Sequence, residues 1–157
     1  KKGGTITAAN SSSISDGAAA LVLMKQSEAE KRGLPPICKI VAHATHAQKP
    51  EEFTIAPVGA MQKLLAKAEW DAKDVDLFEI NEAFAMVTML AVKTMDLDMA
   101  KVNVNGGACA LGHPLGASGA RIMVTLIHAL KNRGLSKGVA SLCIGGGEAT
   151  AIAVEML

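Results

Sequence analysis

Three short stretches carry residues able to do chemistry: Asn81-Glu82-Ala83-Phe84, the loop Asn105–Gly119 (NGGACALGHPLGASG) with His113 just ahead of Pro114, and Cys143–Gly147 (CIGGG). A cysteine followed by glycines has exposed backbone N–H groups beside it, and such groups hold a negative oxygen. A thiol works as nucleophile, or as acid and base near its pKa. A histidine braced by proline and glycines donates to a carbonyl oxygen or takes a proton from a thiol. An asparagine orients a water or donates directly. Together, Asn81, His113 and Cys143 suit a reaction that passes through an anionic oxygen, either acyl transfer or enolate formation. Ordering so many glycines (Gly106, Gly107, Gly112, Gly116 and Gly119) costs backbone entropy, and lets the main chain come close to a ligand.

Each of these residues also has a plainer reading. A strand cysteine is commonly buried filler. Asn81-Glu82 fits a cap for the helix that follows. The run GGACALG is not G-x-G-x-x-G, and no Lys-Ser/Thr follows it, so a phosphate cradle is not supported. Asp74, Asp76, Glu79 and Glu82 read as a solvated edge or caps. Cys38, Cys109, His43, His46 and His128 read as structural, and Met86, Met89 and Met95 as core. The three cysteines have no paired spacing, so neither a disulfide framework nor a zinc site is expected, and no metal.

These stretches need elements to position them, and the pattern of the chain supplies strands and helices in alternation. Gly3–Asp16 reads as an irregular loop, Gly17–Met24 (GAAALVLM) as a buried strand without period, and Ser27–Arg32 as a short helix stopped by Gly33. Pro35-Pro36 marks a seam. Beyond it come a strand (Ile37–Ala47), a helix (Pro57–Glu69), a strand (Val75–Ile80), a helix apolar nearly all round and so buried on most sides (Ala83–Met95), and a short strand (Lys101–Val104). The glycine loop leads into a helix over Ala117–Arg133, stopped by Gly134. Strands Val139–Ile144 and Thr150–Met156 close the chain as a hairpin. Each chemical stretch follows a strand, where ligand sites of α/β sheets gather. The expected architecture is α/β and layered, a mixed sheet flanked by helices.

Composition narrows the partners. The chain has 157 residues, 50% hydrophobic and 20% charged, with a net charge of +1. Nothing in that balance invites nucleic acid, and aromatics are too scarce for base stacking. Ala83–Val92 is about half the ~20 residues a membrane span needs, so no membrane is expected as partner. Free thiols fit a reducing compartment, hence the cytoplasm. The chain opens Lys1-Lys2 without methionine, as a piece of a longer protein would, and a targeting signal upstream would lie beyond it.

At the chemical residues the sequence resembles the thiolase family. NEAF (Asn81–Phe84), GHP (Gly112–Pro114) within NGGACALGHPLGASGAR, and CIGGG (Cys143–Gly147) stand in family order, and the opening TAANSSSISDG (Thr7–Gly17) resembles the segment that touches coenzyme A. The resemblance spans essentially the whole chain. It implies acyl transfer between acetyl-CoA molecules forming acetoacetyl-CoA and CoA, or the reverse thiolysis of a 3-ketoacyl-CoA. By resemblance, His113 activates the nucleophilic cysteine and donates to the thioester oxygen. Asn81 holds a water in the same oxyanion hole, Cys143 is the acid/base at the substrate's α-carbon, and the Gly145 N–H serves the second oxyanion hole. Ser12 and Phe84 meet the pantetheine arm. Coenzyme A enters as substrate, with no tightly bound cofactor. The family's acyl-accepting cysteine lies in an N-terminal half, and no matching motif is present here. The expected division is therefore a tail of that half over residues 1–34, with an orphan strand at Gly17–Met24, and a C-terminal thiolase domain over residues 35–157. The partners implied are an acyl-CoA, the N-terminal half and a homo-oligomer, dimer or tetramer, in the full enzyme. A degradative 3-ketoacyl-CoA thiolase is the nearest alternative, and a non-catalytic CoA-binding or assembly module is the alternative of another class.

Overall fold

A computed structural model of the chain describes residues 3–157. In chain order the helices and strands are α1 (Gln26–Lys31), β1 (Cys38–Ala47), α2 (Ala56–Ala68), β2 (Leu77–Ile80), α3 (Ala85–Met95), α4 (Ala108–Leu111), α5 (Ser118–Arg133), β3 (Lys137–Cys143) and β4 (Glu148–Met156). The strands form one four-stranded sheet in the order β1-β4-β3-β2. β4 runs antiparallel to both β1 and β3, while β2 and β3 are parallel. The mixed sheet expected from the alternation is present, with helices on both faces.

Sequence pattern explains the layers. α5 turns Ile122, Met123, Leu126, Ile127 and Leu130 toward Leu77, Ala140 and Val154. Its last turn carries Lys131 and Arg133, which suit the negative end of the helix, and it stops at Gly134 in the left-handed region (φ 64°). On the opposite face α2 and α3 pack Met61, Leu64, Leu65 and Val87 against Phe78, Ile80, Val139 and Ala151. β2 is buried along its whole length, as a parallel strand covered on both faces must be.

Three expectations are corrected. Residues 17–25 form no strand, and Val22 and Leu23 are exposed while Leu21 rests against the α5 cluster. An apolar run without period signals burial but not a partner, and among the described residues no strand edge pairs with it. Lys101–Val104 makes only a single bridge, Val102 to Phe78, because Asn103 turns into the left-handed region (φ 47°) and ends the pairing. α3 buries one side only. Val87, Thr88 and Ala91 are buried, but Met89 is 66% exposed, since apolar composition cannot supply a second neighbour. Among the described residues no helix is long and apolar enough to cross a membrane.

The β3–β4 turn shows where a glycine is required. Gly147 has φ 102°, and a Cβ there would run into the Gln48 carbonyl, while the Gly147 carbonyl accepts the Gln48 N–H at 3.0 Å. Gly147→Ala is expected to destabilise the fold by about 2 kcal/mol. Urea unfolding would measure it, and an unchanged midpoint would mean that the turn relaxes freely.

Candidate active site

β2 and β3 run the same way in register, Ile80 opposite Ser141, so Asn81 and Cys143 reach the same end of the sheet. The Asn81 N–H donates to the Ser141 carbonyl at 3.0 Å, which continues the ladder one residue past β2. Side chains alternate along β2: Phe78 and Ile80 enter the cluster under α2 and α3, and Leu77 enters the cluster under α5. Asn81 therefore faces α5, where it is 1% exposed, and its Nδ2 donates to Nε2 of His113 at 3.4 Å. Its Oδ1 is buried and has no partner among the described residues.

His113 is held from three sides. Its N–H donates to the Ser13 carbonyl at 2.9 Å. Gly112 before it (φ 90°) passes so close to Ser15 that a Cβ would collide with that hydroxyl. On the ring, Nδ1 lies 2.6 Å from Ser118 Oγ, whose own hydrogen points to the Pro114 carbonyl at 3.1 Å. Ser118 Oγ therefore accepts the Nδ1 proton, and the lone pair of the neutral ring sits on Nε2. Burial and then the Arg121 guanidinium hold the imidazole below its usual pKa, which favours that neutral form. Ser118→Ala removes the acceptor and is expected to give a mixture of tautomers where the parent shows one. The ¹⁵N shifts of the His113 ring distinguish the two, and an unchanged tautomer would show Ser118 to be idle.

The opening loop is drawn across this end of the sheet. Ser12 gives both its N–H (3.2 Å) and its Oγ–H (3.0 Å) to the Ala83 carbonyl, Ser11 bridges to Phe84, and Ile14 bridges to His113. Phe84 sets its ring edge-to-face on Phe53, with centroids 6.1 Å apart. Ser12 and Phe84 thus lie beside the Asn81–His113 pair, and the Ser12 oxygen keeps a lone pair for an acceptor role.

Cys143, the last residue of β3, shares this end of the sheet. Its thiol packs into the cluster under α2 and α3, and among the described residues no hydrogen bond joins it to His113. Burial pushes the thiol above the ordinary range, so it is protonated at neutral pH. Gly145, two residues on, is exposed in the turn, and its N–H has no partner among the described residues.

Several residues read as incidental are built into the site. Glu79 is 2% exposed, not solvated, and its Oε2 lies 3.8 Å from Arg121 Nη1. Glu82 accepts the Cys109 N–H at 3.1 Å and an Asn103 Nδ2–H at 3.4 Å, with its carboxylate where a Cβ of Gly107 would lie. Asn103 in turn exchanges 2.8 Å hydrogen bonds with both backbone groups of Ile80, taking the place of a strand neighbour. Asp76, at the opposite end of β2 and away from the site, is not a free solvated edge either: it accepts the N–H groups of Ser136 and Lys137. The signal for Glu79 lies in the alternation itself: it is the only charged side chain that shares a face with Leu77 and Asn81 in LFEIN. Ser118 carried a weaker signal, a hydroxyl one helical turn past the GHP motif.

The model of the thiolase C-terminal domain matches residues 34–156, and that of the thiolase N-terminal domain matches residues 1–27. The chain is 53% identical over 152 residues to the cytosolic acetyl-CoA acetyltransferase of Mus musculus, covering 97% of this chain and 38% of that protein. Its fold matches the crystal structure of the Bacillus anthracis acetyl-CoA acetyltransferase with a TM-score of 0.95 at 49% identity, over 98% of this chain and 39% of the other. Human mitochondrial 3-ketoacyl-CoA thiolase in complex with CoA matches with a TM-score of 0.93 at 42% identity, over 100% of this chain and 40% of the other. The chain thus spans about two fifths of the length of the proteins it resembles. Motif order, fold and these likenesses agree, and the chain belongs to the thiolase family.

Proposed function

We propose that this chain supplies the acid–base part of a thiolase active site, transferring an acetyl group between coenzyme A thioesters. In synthesis two acetyl-CoA molecules give acetoacetyl-CoA and CoA, and in thiolysis a 3-ketoacyl-CoA is cleaved by CoA. The observation that carries the reading is the His113 ring held between Ser118 Oγ, 2.6 Å from Nδ1, and the buried Asn81 amide, 3.4 Å from Nε2, an arrangement that suits the tautomer with its lone pair on Nε2. The likeness to proteins named acetyl-CoA acetyltransferase supports the choice of substrate.

In the thiolytic direction an acyl-accepting cysteine loses its proton to His113 Nε2, and its sulfur attacks the β-keto carbon. As the Cα–Cβ bond breaks, the electron pair left on Cα forms the enolate of acetyl-CoA, and the Cys143 thiol delivers a proton to that carbon. The His113 imidazolium, with an Asn81-held water, stabilises the thioester oxygen that carries the enolate charge, and the Gly145 N–H donates to the acyl-enzyme oxygen. The CoA thiol then gives its proton to the Cys143 thiolate and attacks the acyl-enzyme. The departing cysteine recovers its proton from His113.

In this reading the acyl-accepting cysteine comes from an N-terminal half. The other thiols of this chain suit that role poorly: burial raises Cys38, and burial and the Glu82 carboxylate raise Cys109, whereas a nucleophile needs a lowered pKa. Ser12 and Phe84 border the pantetheine arm of CoA, which is bound as substrate and not as a resident cofactor. The complete enzyme is read as a cytoplasmic homo-oligomer, dimer or tetramer. A second reading, degradative cleavage of longer 3-ketoacyl-CoA substrates, is favoured by the likeness to human mitochondrial 3-ketoacyl-CoA thiolase. The test is thiolysis by this chain assembled with an N-terminal thiolase half, on acetoacetyl-CoA and on a long-chain 3-ketoacyl-CoA. Preference for acetoacetyl-CoA is expected. Preference for the long chain would favour the second reading, and activity on neither would overturn both.

A further inference from the structure

The geometry points to Arg121 as a positioning residue for His113, with Glu79 as its buried partner: a pair set behind the catalytic residues. The proposal rests on reading His113 as the base. Glu79 stands two residues before Asn81 on the same face of β2, and Arg121 stands three residues after Ser118 on α5. The two elements are thus linked twice, by Asn81···His113···Ser118 in front and by Glu79···Arg121 behind. Arg121 Nη1 is fixed further by donating to Thr125 Oγ1 at 3.3 Å.

Stability is a poor explanation for this pair. Taking a guanidinium and a carboxyl out of water costs more than a loose contact returns, and the burial keeps the carboxyl partly protonated. Here the closest approach is 3.8 Å, and both Glu79 Oε1 and Arg121 Nε are buried without partners among the described residues. What the pair does provide is a fixed cation behind an imidazole that must be neutral to accept a proton. The other groups facing His113 do not replace it. Asn81, Ser118 and the Ser13 carbonyl are neutral, Glu82 is engaged with Cys109 and Asn103, and Asp16 lies beside Pro114 in an open groove. Burial, offset in part by Arg121, raises the Glu79 carboxyl to about 7. Below neutral pH, where His113 titrates, Glu79 is therefore largely protonated and the guanidinium acts on the ring unopposed.

The test is an NMR titration of the His113 ring in this chain, its signals identified by their loss in His113→Asn among those of His43, His46 and His128. Arg121→Met is expected to raise the His113 midpoint by about half a unit or more. Arg121→Lys, which keeps the cation, should stay close to the parent. An unmoved midpoint in Arg121→Met, or an equal rise in Arg121→Lys, would overturn the proposal. Should Arg121→Met fail to fold, Glu79→Gln decides: glutamine keeps an acceptor for Arg121 and leaves the cation unopposed, so the midpoint should hold or fall. A rise would overturn the proposal. Since the readout is a titration and not a turnover, its failure would leave the acyl-transfer reading standing. A failed activity assay would likewise leave this result intact.

Discussion

His113→Asn, in the chain assembled with an N-terminal half, is expected to lower kcat for acetoacetyl-CoA thiolysis by about 10³-fold with little change in KM. Asparagine can still accept from the Asn81 amide and donate to the substrate oxygen but cannot take a proton, so the loss falls on chemistry and not on binding. The parent's pH profile should carry the same signature. The base must be neutral, so activity is present above the His113 pKa and is lost as pH falls through it. Burial and Arg121 set that pKa below the ordinary value of 6.5, which places the acid limb of kcat/KM below 6.5 as well. A loss of less than tenfold in His113→Asn, or an acid limb above 6.5, would remove His113 from the role of base.

Cys143→Ser is the second large effect, and it should divide the reaction. Serine fills the same space but is too weak an acid to protonate the α-carbon of a departing enolate. Thiolysis is expected to fall by roughly 10²-fold or more. Transfer of an acetyl group from acetyl-CoA onto the nucleophilic cysteine needs no α-carbon chemistry, only a proton for the departing CoA thiolate, and should persist at a reduced rate. Exchange of the acetyl methyl protons with deuterated solvent should vanish. In the parent, thiolysis requires the protonated thiol, and burial raises that thiol above 9.0, so the alkaline limb belongs above 9.0. Methyl exchange that survives in Cys143→Ser would assign the acid–base role to another group.

How far these assignments could be read from the chain differs by residue. α5 was legible because its apolar stripe, its basic last turn and Gly134 all say the same thing. The β3–β4 hairpin and the mixed character of the sheet follow from strand signals and from the helices between them, whereas the parallel pairing of β2 with β3 is seen only in the fold. Gly17–Met24 was misread because apolar composition without period fixes neither element nor partner. Lys101–Val104 was misread because Asn103 leaves strand geometry and offers its side-chain amide to Ile80 in place of a backbone neighbour.

The site was legible in part. NEAF, GHP and CIGGG name Asn81, His113, Cys143 and Gly145, and the fold brings all four to one end of the sheet. What the sequence could not display is how His113 is held. That depends on the Ser118 hydroxyl donating to the Pro114 carbonyl, and on a contact between Glu79 and Arg121, forty-two positions apart. Such contacts arise only when β2 is laid against α5. The acidic residues were misjudged for the same reason. Charge alone suggests a solvated edge, whereas Glu79 is carried inward by the alternation of a strand buried on both faces.

Under the proposed function this chain holds the acid and base of the reaction, and its nucleophile comes from an N-terminal half. Intact-mass spectrometry after brief incubation with acetyl-CoA tests it most directly, with this chain and an N-terminal thiolase half in one sample. One added acetyl group is expected on the N-terminal half and none on this chain, with the labelling slowed in His113→Asn. An acetyl group carried by Cys143, Cys109 or Cys38 of this chain would contradict it.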